Sequence, residues 1–205
     1  MATSVAGWPP SVRVRIVTLA FGEFIERVAA ARIGATFNFY RDGDRAALLR
    51  QRLAGYLEQQ AAAGVLLVAE APGYRGTRVS GLPLTSERQL TGTGPAEATA
   101  TVVHAALEEL GLAREVMLWN VVPTHPGDER SNRRPSRAEI EAGLPFAREL
   151  ARGRTVVSIG RIAHEALGGT YLRHPSHGGA GEFRRGLESA LVVGSSRGGR
   201  SRPPL

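Results

Sequence analysis

Four short apolar stretches, each cut off by proline, glycine or a polar loop, constrain the fold of this chain more than any other feature. They are VLLVAEAPG from Val65, EVMLWNVVP from Glu115, TVVSIG from Thr155 and TYLRHPS from Thr170. A short apolar run without polar alternation belongs to a strand buried on both faces. Helical patterns separate these runs: PAEATATVVHAALEELGL, SRAEIEAGLPFARELAR and RIAHEALG, with AGEFRRGLESALVV after the last. Strands that alternate with helices predict one parallel sheet covered on both faces. In such a sheet, ligands bind beyond the carboxyl ends of the strands. The segments EAPGYRG, NVVPTHPG and RHPSHGG follow or end three of the strands, so all three are expected at one edge.

The flanking regions read less sharply. A helix is expected from about Thr18 to Ala31, and a second one N-capped by Asp44 and closed by Gly64. Ser136 and Glu139 have capping-box spacing at the head of a later helix. GSSRGGRSRPPL is a basic, low-complexity tail. No repeat or linker interrupts the rest, so the expected organisation is one domain over 1–192 with a disordered tail over 193–205.

Composition removes whole classes of chemistry. With no cysteine, the chain has no disulfide, no thiolate nucleophile and no thiolate metal site. It also has no lysine, so all 26 basic residues are arginine and no side-chain amine is available for a Schiff base. The net charge of +7 and pI of about 11.0 suit a polyanionic partner. No apolar run spans a membrane and no signal peptide is evident, so a cytoplasmic location is expected. Of five histidines only His174 and His177 are near neighbours, without an aspartate cluster, so no metal is expected.

The stretch RHPSHGGAGEFRRGL, residues 173–187, is poor core material. It suits a loop that grips an anion with a helix N-terminus behind it. Asn120 ends an apolar run where a core residue would be apolar, and its amide offers one donor and one acceptor to a ligand, or ties the strand end to the next loop.

EAPG followed by GLPL, then NVVPTHPG with NRRP, then HPS, in this order over roughly residues 64–190, resembles the uracil-DNA glycosylase superfamily. The nearest branch is the one whose first motif reads Gly-Glu-Ala-Pro-Gly. The resemblance implies a three-layer α/β/α fold with a central four-stranded parallel sheet, and excision of uracil from DNA without metal or cofactor. A monofunctional monomer would extrude the nucleotide, break its glycosidic bond and leave an abasic site. It further implies that His174 donates to uracil O2, and that Asn120 matches O4 and N3–H. Glu70 lies in the pocket either as a catalytic carboxylate or as an acceptor for loop N–H groups. Ala71, Gly73, Tyr74 and Leu84 complete the substrate-binding set, and Ser176, His177, Gly178, Arg173 and Arg184 meet DNA phosphates, with Arg133, Arg134 and Arg185 extending the grip.

The chain departs from the family it resembles in four places. It lacks the cysteines that hold the branch's iron–sulfur cluster, so other packing must support the N-terminal region. Leu84 stands where an aromatic stacks on the base, leaving Tyr74, Phe37, Phe39 or Tyr40 as substitutes. His177-Gly178-Gly179 replaces an apolar wedge, and Gly73 replaces the tyrosine that excludes thymine in the better-known branch. That branch also carries an aspartate at the position of Ala71. These differences leave open a second reading, a module of the same fold that mainly holds abasic or damaged DNA. A third, a histidine-based metal phosphodiesterase, lacks the ligands it would need.

Overall fold

The computed structural model describes residues 21–176 and 178–195. The four apolar runs become β1 (Val65–Ala69), β2 (Val116–Asn120), β3 (Thr155–Ile159) and β4 (Thr170–Leu172). All pairings are parallel, in the order β2-β1-β3-β4. The helices are α1 over 21–30, α2 (Ala46–Gln59), α3 (Thr77–Ser80), α4 (Glu87–Thr91), α5 (Ala98–Glu109), α6 (Arg137–Ala151), α7 (Gly160–Leu167) and α8 (Ala180–Ser195). The expected three-layer α/β/α fold is therefore present.

Strand pleating divides the core in two. Leu66, Val68, Met117 and Trp119 pack with α1, α2, α6 and α7, while Leu67, Ala69, Val116 and Leu118 pack with α5 and α8. The N-terminal region is anchored by Phe24, whose ring lies 5.5 Å from that of Trp119 and 5.9 Å from that of Phe146. Buried Asn38 donates to the carbonyls of Val28, Ala29 and Ala31, closing the end of α1.

The strand order places a topological switch between β1 and β3. From β1 the chain moves outward to β2, then returns through α6 to pair β3 on the other side of β1. The crevice above such a switch is where doubly wound sheets hold ligands.

Several boundaries differ from expectation. Asp44 does not cap α2. The helix starts after Arg45, whose side chain makes no cap, because the turn through Gly43 at φ 88° already presents its carbonyl to the Ala46 N–H. That helix ends at Gln59, and Gly64 instead accepts the Thr155 N–H at the foot of β3. The Ser136–Glu139 capping box is formed as expected. The short helices α3 and α4 fall where no helical period was read. Helix α8 continues through Ser195, past the boundary at 192, and residues 196–205 lie outside the described residues, as do Thr18 to Ala20 and His177.

Candidate active site

A cleft of about 670 Å³ opens at the switch point. Glu70 enters it from just beyond β1, Ile159 and Gly160 from the β3–α7 turn, and His174 from beyond β4. Asn132, Arg133, Arg134, Arg161, Ile162 and Tyr171 line the rest of it. Gly160 permits the abrupt strand-to-helix turn, since its φ of 82° is a conformation that side chains rarely adopt. Two of the expected residues, Glu70 and His174, thus share one cavity.

The histidine is oriented by its own loop. The Ser176 N–H donates to His174 Nδ1 at 3.2 Å, and the Ser176 hydroxyl lies 2.8 Å from the same nitrogen. A nitrogen that accepts a backbone N–H carries no proton, so the neutral ring holds its proton on Nε2. Ser176 therefore orients the imidazole, a contribution the loop sequence did not reveal. Glu70 is partly buried, and desolvation raises its carboxyl above the ordinary range while neighbouring Arg134 draws it back.

Asn120 sits behind the cleft rather than on its lining. It pairs in register with Ala69, so its side chain shares the sheet face that packs against α5 and α8. It is only 2% exposed, yet neither amide atom has a hydrogen-bond partner among the described residues. Leaving such a group unsatisfied costs roughly 1–3 kcal/mol. Buried polar groups of this kind are rare in native proteins.

On that same face lies Leu84, at φ 50°, the only residue other than glycine with positive φ among those described. A bulky side chain at positive φ is strained and persists where its surroundings over-determine it. Here Thr77 Oγ1 accepts the Leu84 N–H, Ser80 Oγ donates to the Thr85 carbonyl, and Thr85 Oγ1 contacts His104 Nε2. Among the aromatic substitutes, Phe39 and Tyr40 belong to the core, their ring centroids 4.4 Å apart. Phe37 is covered by the Arg78 guanidinium, 5.1 Å from its ring. Tyr74 has Arg75 over its ring and donates its N–H to Asn132 Oδ1. The aromatic on the cleft is Tyr171, half-exposed on the edge strand and read from sequence only as part of a strand.

The loops are fastened to one another. His125, fully buried, sets Nδ1 2.8 Å from the Pro72 carbonyl and Nε2 2.8 Å from that of Asp128. Together with the Tyr74–Asn132 bond, this ties the loop after β1 to the loop after β2. Asn132 carried no signal apart from opening the motif NRRP.

The arginines separate into paired and available sets. Arg133 is bidentate to buried Glu139 at 2.6 and 2.7 Å, Arg173 pairs with Glu182 at 2.8 Å, and Arg184 pairs with Glu109 at the far end of α5. Arg134 is exposed on the cleft and has no ion-pair partner among the described residues. Gly178, at φ 77°, and Gly179 bridge the loop to α8. Among the described residues no three His, Asp or Glu side chains gather as a metal site requires, and no helix is long and apolar enough to cross a membrane. The chain has no thiolate to hold an iron–sulfur cluster.

A histidine and a desolvated carboxylate thus share a cleft above the switch of a four-stranded parallel sheet, with a buried amide off its lining. The family profile of the uracil DNA glycosylase superfamily matches residues 56–197, and the chain belongs to that superfamily. A type-4 uracil-DNA glycosylase of Pyrobaculum aerophilum is 31% identical over 108 residues, covering 51% of this chain and 47% of the relative. The chain thus matches about half the length of that relative. The crystal structure of wild-type SMUG2 from Pedobacter heparinus shares the fold at a TM-score of 0.60 with 12% identity, covering 87% of this chain and 99% of that one.

Proposed function

We infer that this chain is a monofunctional uracil-DNA glycosylase, acting as a cytoplasmic monomer on deoxyuridine extruded from DNA. The single observation that carries the reading is Asn120, whose buried amide has a donor and an acceptor both without partners. Uracil offers the matching pair, O4 and N3–H. Extrusion of the nucleotide is the general solution for chemistry on a base.

In this reading the C1′–N1 bond lengthens, positive charge builds on the sugar and negative charge on the leaving uracil. His174, with its proton on Nε2, donates to O2 as that charge develops; a donor of this type lowers the barrier by about 2.7–4 kcal/mol. Glu70, when ionised, holds a water against C1′. The water oxygen bonds to C1′, its proton leaves through the carboxylate, and the uracil anion takes up a proton from solvent. The products are free uracil and an abasic site. Exposed Arg134, at the cleft mouth, holds a flanking phosphate.

A labelled oligonucleotide with one uracil, incubated in EDTA and then treated with alkali, tests this. Strand scission that is lost in His174→Ala supports the glycosylase. An intact strand with tight abasic-site binding supports instead the binding module, a reading favoured by one observation, that Asn120 does not line the cleft.

A further inference from the structure

Among the described residues, Tyr171 is the most exposed of the large apolar side chains, at 50%, and it sits on the three-residue edge strand β4. It lines the same cleft as Glu70 and His174, and among the described residues its ring is the only one there besides the imidazole. The ring is also fixed. It meets the His164 imidazole of α7 edge to face, with centroids 5.6 Å apart and planes at 71°, an arrangement that aromatic pairs favour. Tyrosine suits a strand by propensity, but a ring placed for the sheet would pack on a cross-strand side chain. Its register partner is Ser158, small and fully buried, whose hydroxyl donates to the Gly168 carbonyl.

Strand pleating sends Tyr171 and Asn120 to opposite faces of the sheet. Leu172 packs on the face of α5 and α8, which also carries Asn120, whereas Tyr171 meets α7. A base held by Asn120 lies off the cleft, so the cleft is left for the strand that carries it. Its volume of about 670 Å³ falls in the range of pockets that enclose whole drug-sized ligands, which gives room for a nucleotide beyond the reacting sugar. Arg134, on the same lining, supplies the charge that a second phosphate needs.

We propose that Tyr171 is a stacking platform for the base next to the extruded uracil, so that the cleft takes two consecutive nucleotides of one strand. This rests on the functional reading above. Every base has a π-face, so the platform accepts any of the four. A base laid on it has left its own stack, and the favoured substrate is therefore a single strand.

The test is kcat/KM for single-stranded oligonucleotides with one uracil, whose 5′ or 3′ neighbour is either a normal nucleotide or a tetrahydrofuran spacer that lacks the base. In the full-length wild type, the spacer on one side is expected to lower kcat/KM about 5- to 150-fold, the worth of one base–aromatic stack. The loss should fall on KM, because the stack is made in substrate and transition state alike. Tyr171→Ala is expected to lose a similar factor on the unmodified strand and nothing further on the spacer strand. Tyr171→Leu keeps bulk without a π-face and is expected to lose most of the spacer effect, whereas Tyr171→Phe keeps the ring and the effect with it. Because the readout is a ratio of two strands on one protein, a variant with a smaller folded fraction still reports it, and Tyr171→Leu serves where Tyr171→Ala does not fold. Wild-type indifference to the spacer on both sides, or an undiminished spacer effect in Tyr171→Ala and Tyr171→Leu, overturns the proposal while uracil excision stands. A wild type that excises no uracil from any strand overturns the functional reading and this one with it.

Discussion

Asn120 is held in an environment that opposes it, and the conflict is measurable. Its amide is buried and has no hydrogen-bond partner among the described residues. Replacing such a group by an apolar one of similar size is neutral to stabilising. Asn120→Val, β-branched and suited to a strand, is expected to raise the stability to urea by about 1 kcal/mol or more while lowering uracil excision about 100-fold. Lower stability together with normal excision would contradict the role given to it. Glu70 yields a second expectation. Water activation needs the ionised form, and burial has raised its pKa. The excision rate therefore falls as pH drops through a midpoint above the ordinary glutamate value of about 4.3. Glu70→Gln is expected to abolish that acid limb and to lower kcat about 100-fold or more. A pH–kcat profile with the limb unchanged in the variant assigns it to another group.

At the scale of elements, the start of α6 does more than begin a helix. Glu139 completes the capping box with Ser136, accepts the Ala35 N–H from the segment after α1, and takes both arms of Arg133. Arg133, first among its donors, brings the Glu139 carboxyl down to about 2. A depressed folded pKa stabilises above the unfolded value of about 4.3 and is lost as pH falls toward about 2. Arg133→Ala is thus expected to cost about 1.5–3 kcal/mol at neutral pH in urea denaturation. The difference from wild type should shrink between pH 4 and 2, and a constant difference would mean the two groups are not coupled. The same pairing explains why Arg133 and its neighbour Arg134, indistinguishable in NRRP, differ in availability.

For the whole molecule, a charge of +7 spread over arginines alone makes DNA affinity a function of salt. Many of these arginines already have carboxylate partners, as Arg27, Arg52, Arg173 and Arg184 do. The arginines free to meet phosphates are accordingly fewer than the count of 26 suggests. Arg134→Ala is expected to reduce the slope of log affinity against log salt by about 1 for a uracil-containing oligonucleotide, weakening all sequences alike. Arg184→Ala, at a pair on the far end of α5, is expected to leave the slope unchanged. Equal slopes in wild type and Arg134→Ala would remove Arg134 from the interface.

What could be read directly from the chain was whatever depends on neighbours in order. The runs ending at Ala69, Asn120, Ile159 and Leu172 became strands because apolar alternation is absent and proline, glycine or polar residues stop them. The capping box at Ser136 is local chemistry of the same kind. Parallel pairing then brought the strand-end loops to one edge. Tertiary structure alone decided the rest. It put Phe39 and Tyr40 into the core although both suited a stacking role, brought Tyr171 to the cleft, and sorted the arginines by which carboxylate lies near each. It also laid Glu97 on Gly73 across a helix and a loop, which no spacing in the chain encodes. The physical reason is one of range. Backbone propensity and capping act within a few residues, whereas burial, ion pairing and the filling of a pocket depend on which surfaces meet after the sheet has closed.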